Sequence, residues 1–254
     1  MNRKRKISTL VLYELRNMAG NPYIHIFGIA MPIFFGILFT KIATSETPQT
    51  MTPYVATSVA GSISMIIPMA VILMGAAVST ALELEKKIPV RMELFGISEK
   101  KIIAARMIAE MILVSIALIL YSICMVLFNQ ILEPTAGAMC IWIGTYLVFS
   151  AILFMLAYGI ANLTRKFGLT YCVTMILYFA MMVMSGIMGI SIDQMPKPIQ
   201  MISRLLPSSY ISTDLMDFWQ GGSYNLMPLI QSFLFLGAVS GIILFYSVYR
   251  AKRS

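Results

Sequence analysis

The chain has 254 residues, 59% hydrophobic and only 12% charged, with a formal net charge of +8 and a mean hydropathy of +0.83. Soluble domains run at about 45–50% apolar and about 25% charged residues, so a water-soluble fold of this size cannot hide so much apolar surface. The same figures exclude disorder, collagen, a coiled coil and a disulfide scaffold, which leaves an integral membrane protein; its apolar runs are too long for barrel strands, so it is helical.

The basic start Arg3, Lys4, Arg5, Lys6 resembles the head of a signal peptide. The first apolar run begins only at position 24, however, and no small-residue cleavage pattern intervenes, so none is expected. Residues 7–20 place Ile7, Leu10, Val11, Glu14, Leu15 and Met18 at partial 3.6-residue spacing, with Arg16 and Asn17 off that face. This predicts an amphipathic helix lying on the inner membrane surface, ended by Asn21-Pro22.

Six spans follow, at 24–40, 55–82, 102–128, 137–161, 169–190 and 227–249. A helix needs about 20 apolar residues to cross the hydrocarbon core. Pro32 and Pro68 are candidate kinks in spans one and two. With both termini inside, the inner side holds sixteen basic and six acidic residues and the outer side three basic and five acidic. The net positive charge is therefore a topology signal of the positive-inside kind, and nucleic acid is not implied.

The only sizeable inner loop runs from Glu83 to Lys101 and mixes both charge signs with Ile88, Val90, Met92, Leu94 and Phe95. A solvated linker has little use for those apolar residues. Pro89 can open a short helix over 89–95 and Gly96 can end it, with Ser98 as N-cap of the helix entering span three. Such a helix is a docking device. The outer segment 191–226 is also long and apolar. It predicts one short helix before Pro207 and a second over 210–219, capped by Ser208 or Ser209 and ended by Gly221-Gly222. Trp219 and Tyr224 suit the membrane interface.

Most chemical motifs are absent. There is no G-x-x-x-x-G-K-[ST] phosphate loop, no H-E-x-x-H and no G-x-S-x-G. The single histidine, His25, cannot build a metal site. Cys124, Cys140 and Cys172 lie in apolar runs as small buried hydrophobes; a Cys124–Cys140 disulfide is possible but not favoured. The deepest intramembrane charge is Glu110, and Arg106 one turn below it can pair with it at i, i+4. Spans this clean do not suggest ion coupling. If the chain transports, its energy must come from a partner docked on the inner face.

These features together resemble the permease subunits of ABC exporters of the type-two permease class. The residues that carry the resemblance are Glu93-Leu-Phe-Gly-Ile-Ser98 in the inner loop, Leu206-Pro-Ser-Ser-Tyr210 ahead of Gly221-Gly222, and Arg16-Asn17 with Asn21-Pro22 before span one. The resemblance covers nearly the whole chain and implies an all-α membrane protein. Its single domain, 1–254, would hold six transmembrane helices, an N-terminal interfacial helix, a cytoplasmic coupling helix and an outer re-entrant hairpin. It implies that Glu83, Glu85, Arg91, Glu93, Leu94 and Phe95 meet a cytoplasmic ATPase subunit. Two ATPases and two permeases, the second the same or a related chain, would form the transporter. ATP and Mg would be held by the ATPase, with no cofactor in this chain and no catalytic residue. It also implies that spans two and five line the dimer interface and the substrate route. Gly61, Ser62, Met182, Ser185, Gly186 and Gly189 are the route candidates, and Pro207, Tyr210, Trp219 and Gly221 belong to the hairpin. Independently, small residues in the outer halves of spans two and five permit close helix approach. The methionines Met175, Met181, Met182, Met184 and Met188 suit varied apolar shapes.

The expected function is the membrane subunit of an ATP-driven exporter in a bacterial plasma membrane. Its cargo would be hydrophobic or amphipathic: an antimicrobial or cytolytic peptide, a lipid-like molecule or a drug, with antimicrobial resistance as one role. Two other classes stay open, a membrane enzyme or maturation factor for a small lipid and a secondary carrier.

Overall fold

The computed structural model describes residues 7–187, 191–222 and 224–251. Among these there is no strand, and six helices are long and apolar enough to cross a membrane. The order is α1 (Ile7–Ala19), α2 (Ile26–Thr44), α3 (Thr52–Glu85), α4 (Ile88–Leu94), α5 (Glu99–Phe128), α6 (Ala136–Thr164), α7 (Phe167–Met184), α8 (Lys197–Ser203), α9 (Pro207–Trp219) and α10 (Met227–Ala251). Spans one to six are α2, α3, α5, α6, α7 and α10.

Span two is the core of the bundle. The most apolar stretch of α3 is 72% buried, against 22–44% in the other spans. It packs on α2, α5, α6, α7 and α9, and Met65, Met69, Val71, Ile72 and Leu73 are fully enclosed. Its path is irregular for a chemical reason. Pro68 has no N–H for the Ser64 carbonyl, and directly after it the chain widens into π-helical turns over Met69–Ala76. In α2 the π turns occupy Ile26–Ala30, where Pro32 deprives the Gly28 carbonyl of its usual partner. The two widened segments touch: a Cβ on Gly28 would stand 2.6 Å from Val71 Cγ2. The Tyr121 hydroxyl of α5 donates to the Ala60 carbonyl at 2.7 Å, and the hydroxyls of Ser64 and Tyr146 are in hydrogen-bond contact.

Several boundaries differ from expectation. Span one is longer than the expected 24–40, since helical turns run from Pro22–His25 through Ile26–Ala30 to Met31–Thr44. Span five, expected over 169–190, ends at Met184, because Ser185 closes the helix and Gly186 turns the backbone to φ +74°; residues 188–190 lie outside the described residues. The second outer helix begins at Pro207 rather than at a serine cap, since a proline in the first turn loses no helical hydrogen bond. Ser98 stands at the N-cap of α5 as expected, but its side chain makes no capping bond. All three cysteines are free.

Spans four and six pack along small residues. A Cβ on Gly159 would meet Ile243 Cγ2 at 2.9 Å and the Leu244 N and Cα at 3.1 and 3.2 Å. Backbone cannot swing aside as a side-chain tip can. Gly159→Ala should therefore separate α6 from α10 and destabilise the bundle by about 1–3 kcal/mol. Gly144→Ala on the same helix, where no described atom lies within 4 Å of the new methyl, should stay within about 0.5 kcal/mol of wild type. Thermal unfolding of the two detergent-solubilised variants checks the contrast.

Candidate functional site: the inner face and the outer hairpin

The inner loop folds into the helix its proline and glycine imply, Ile88–Leu94, with Pro89 in its first turn. Lys87 at φ +56° and Gly96 at φ +78° turn the chain sharply on either side of it. None of its residues is buried. Leu94 is 83% exposed and Phe95 84%, the two highest values among the large apolar side chains of the described residues. Arg91 and Glu93 are exposed beside them. Between α1 and α4 lies an open cleft of about 500 Å³ lined chiefly by apolar side chains, among them Leu12, Tyr13, Ile88, Met92 and Phe95, with Arg16 as its cation.

The remaining two loop candidates point elsewhere. The Glu85 carboxylate accepts the Phe167 N–H at 3.0 Å, capping the first turn of α7. Glu83 turns into the protein, where its Oε2 lies 2.5 Å from Arg106 Nη2. Arg106, 3% exposed, is the centre of a buried polar hub. Its Nε and Nη2 donate to both oxygens of Glu14 at 3.3 Å, and its Nη1 donates to Thr80 Oγ1 at 2.9 Å. One guanidinium thus ties α1, the inner end of α3 and α5 together. Burial pushes the Glu14 carboxyl above the usual carboxylate range; Arg106 pulls it back down, and neighbouring Glu83 adds to the upward push.

This corrects the expected Arg106–Glu110 pair. The fork of Arg106 is filled by carboxylates from two other helices, which present both oxygens at the inner end of the bundle. Glu110, 1% exposed, keeps an Oε2 with no hydrogen-bond partner among the described residues. Sequence reasoning missed Glu14 as a functional residue. The signal was its place on the apolar face of α1, between the buried Leu10 and Met18.

At the outer end, serines make the joint. Ser185, fully buried at the end of span five, bonds side chain to side chain with Ser208, and the Ser212 hydroxyl donates to the Ser185 carbonyl. Ser62 donates to the Ser212 carbonyl at 3.0 Å, and Ser209 to that of Met184 at 3.4 Å. The first turns of α9 are thereby fastened to spans two and five. Of the route candidates, Ser62 and Ser185 belong to this joint, Met182 is buried, Gly61 and Gly186 are half-buried, and Gly189 lies outside the described residues. Trp219 is not a free interfacial ring. It is 8% exposed, its indole N–H donates to the Leu132 carbonyl at 2.8 Å, and it meets Trp142 edge-on. The Tyr210 hydroxyl donates to the Arg204 carbonyl at 2.9 Å. Pro207 opens α9, and Gly221, at φ +91°, follows its end. A Cβ on Gly222 would fall 2.1 Å from the Asp217 carbonyl oxygen, so that position admits only glycine in this turn.

The family model described as ABC-2 type transporter matches residues 5–217. The chain belongs to the ABC-2 type transporter family. It is a multi-pass permease subunit of an ABC transporter, and family membership implies an ATPase partner. No curated protein matches the chain significantly. In this ABC-2 permease the matched region takes in α4, the Arg106 hub, α8 and most of α9.

The hub makes an ordered prediction. Arg106→Ala leaves Glu14 and Glu83 facing each other without their cation and should cost about 3–5 kcal/mol, the usual consequence of breaking a buried pair from one side. Glu14→Gln keeps an acceptor for the guanidinium while Glu83 stays in place, so it should cost clearly less. Thermal unfolding of both variants in detergent checks the order.

Proposed function

We propose that this ABC-2 permease exports a hydrophobic or amphipathic substrate, driven by a separate cytoplasmic ATPase that docks on α4. The single observation that carries the reading is the pair Leu94 and Phe95, 83% and 84% exposed at the end of a short helix beside a cleft. Two large apolar side chains held in that way are anchors for a partner's pocket. Arg91 and Glu93 flank them with both charge signs and supply orientation more than affinity. Glu83 and Glu85, both engaged within the chain, hold the loop to the bundle. The excess of basic residues on this side supports its being cytoplasmic, with both termini inside and α1 along the inner leaflet.

The chain carries no ATP-binding motif, so ATP and Mg belong to the partner, two copies serving two permeases. The exposed apolar face of α7, with Cys172, Ile176, Phe179 and Val183, is suited to a second permease. The serine joint fastens α9 to the ends of spans two and five, which supports a route between paired permeases that emerges there. Antimicrobial or cytolytic peptides, lipid-like molecules and drugs are the cargo classes that suit apolar, methionine-rich walls. A bacterial plasma membrane is the expected location.

Two measurements test this. The Leu94→Ala/Phe95→Ala double variant should lose at least about 2 kcal/mol of ATPase affinity, as hot-spot truncation does, while inserting normally. Co-purification of the ATPase at wild-type yield would remove α4 from the interface. For the dimer, single cysteines at Phe179 or Val183 in a chain lacking its native cysteines should cross-link two permeases in membranes. A cysteine at Phe245 on α10, more exposed than either, should not. The reverse pattern would move the interface to span six.

A further inference from the structure

Three carboxyl groups approach one buried guanidinium, and the fold uses two. Arg106 is bonded to Glu14 and Glu83. Glu110 lies one helical turn deeper on the same face of α5, about 6 Å along the axis. It is 1% exposed, and its Oε2 has no hydrogen-bond partner among the described residues. Burying a carboxyl without a partner is costly, so an orphaned oxygen at full burial calls for a role. A packing role is poorly served by glutamate, since a leucine would fill the space without the penalty.

We propose that Glu110 is the second acceptor of Arg106, the group to which the guanidinium transfers when the inner loop moves during the transport cycle. Glu83 lies in the last turn of α3, only five residues before Ile88, the first residue of α4. A displacement of α4 by a docked ATPase therefore acts on the Glu83–Arg106 bond before any other bond of the hub. Released from Glu83, the guanidinium keeps Glu14 but loses its second carboxylate, and a buried charge cluster favours a replacement acceptor within reach. The side chain is flexible enough to swing from the inner end of the bundle toward i+4. The swing exchanges a bond between helices for one within α5, and so uncouples the loop from span three while keeping the charge satisfied. Glu110 is then a positioning residue that gives the moved state an energy close to that of the resting one. The inference rests on the reading that an ATPase docks at α4.

The test compares Glu110→Gln with wild type in the full permease–ATPase complex, with the ATPase in hydrolysis-competent and hydrolysis-deficient forms. In the nucleotide-free complex, where Glu110 Oε2 has no hydrogen bond to lose, melting should be unchanged. In the complex trapped with ATP the variant should melt lower by roughly 2–4 °C. Export of a hydrophobic reporter dye should fall at least about tenfold, the effect of losing a hydrogen bond to a charged group. Glu110→Asp, which keeps the charge at shorter reach, should restore part of the export. Equal melting shifts in both states would make Glu110 a structural residue, and wild-type export by Glu110→Gln would remove it from the cycle; either overturns the proposal. The docking reading is judged separately, by whether the Leu94→Ala/Phe95→Ala variant still binds the ATPase, so the two can fail independently.

Discussion

A guanidinium keeps its charge in any folded protein. Burying one in an apolar bundle therefore obliges the chain to bring anions to it, whatever helices they come from. Arg106 sits at 3% exposure on α5, and the fold answers with Glu14 from α1 and Glu83 from α3. This requirement fixes where α1 lies: its apolar face cannot slide along the bundle without stranding a charge. It also fixes the inner end of span two, and through the short connection at Lys86 and Lys87 it sets the position from which α4 projects. The exposed end of α4 is thus mounted on the most strongly determined point of the inner face.

The outer end is joined by a different chemistry. Ser62, Ser185, Ser208, Ser209 and Ser212 link α3, α7 and α9 through neutral hydrogen bonds, two of them to the Met184 and Ser185 carbonyls left over where span five stops. Each such bond contributes about 1 kcal/mol, and none leaves an ion stranded when it opens. The two ends of the bundle therefore differ in kind. Opening the Arg106 end separates buried ions, whereas the serine end can open bond by bond.

The six spans, α1 and α4 were legible as helices because hydropathy, Pro89 and Gly96 act locally. Span five was read too long because Ile187 to Ile190 continues the apolar run; hydropathy cannot see the positive φ that Gly186 adopts. Arg106 was read toward Glu110, four residues away, since local spacing is what a sequence displays. Its real partners stand 92 and 23 positions off, and only the folded bundle brings them near. The serines of spans two and five were read as small residues for close packing. They are small, but it is their hydroxyls, matched to α9 across 23 to 150 positions, that make the joint. Trp219, read as an interfacial ring, is packed inward, with its indole N–H donated to the Leu132 carbonyl, a partner 87 positions away.

The π turns of α3 carry a consequence of their own. Over Met69–Ala76 the chain holds more residues per turn than an α-helix of the same path requires. That surplus behaves like a wrinkle in a carpet. Shifted from one end of the segment to the other, it would rotate the residues it passes by about 100° and advance them by about 1.5 Å, with both flanking helices intact. A ratchet of that size would present Ile72 and Leu73 to new neighbours in the middle of the bundle while neither the serine joint nor the arginine hub had to move.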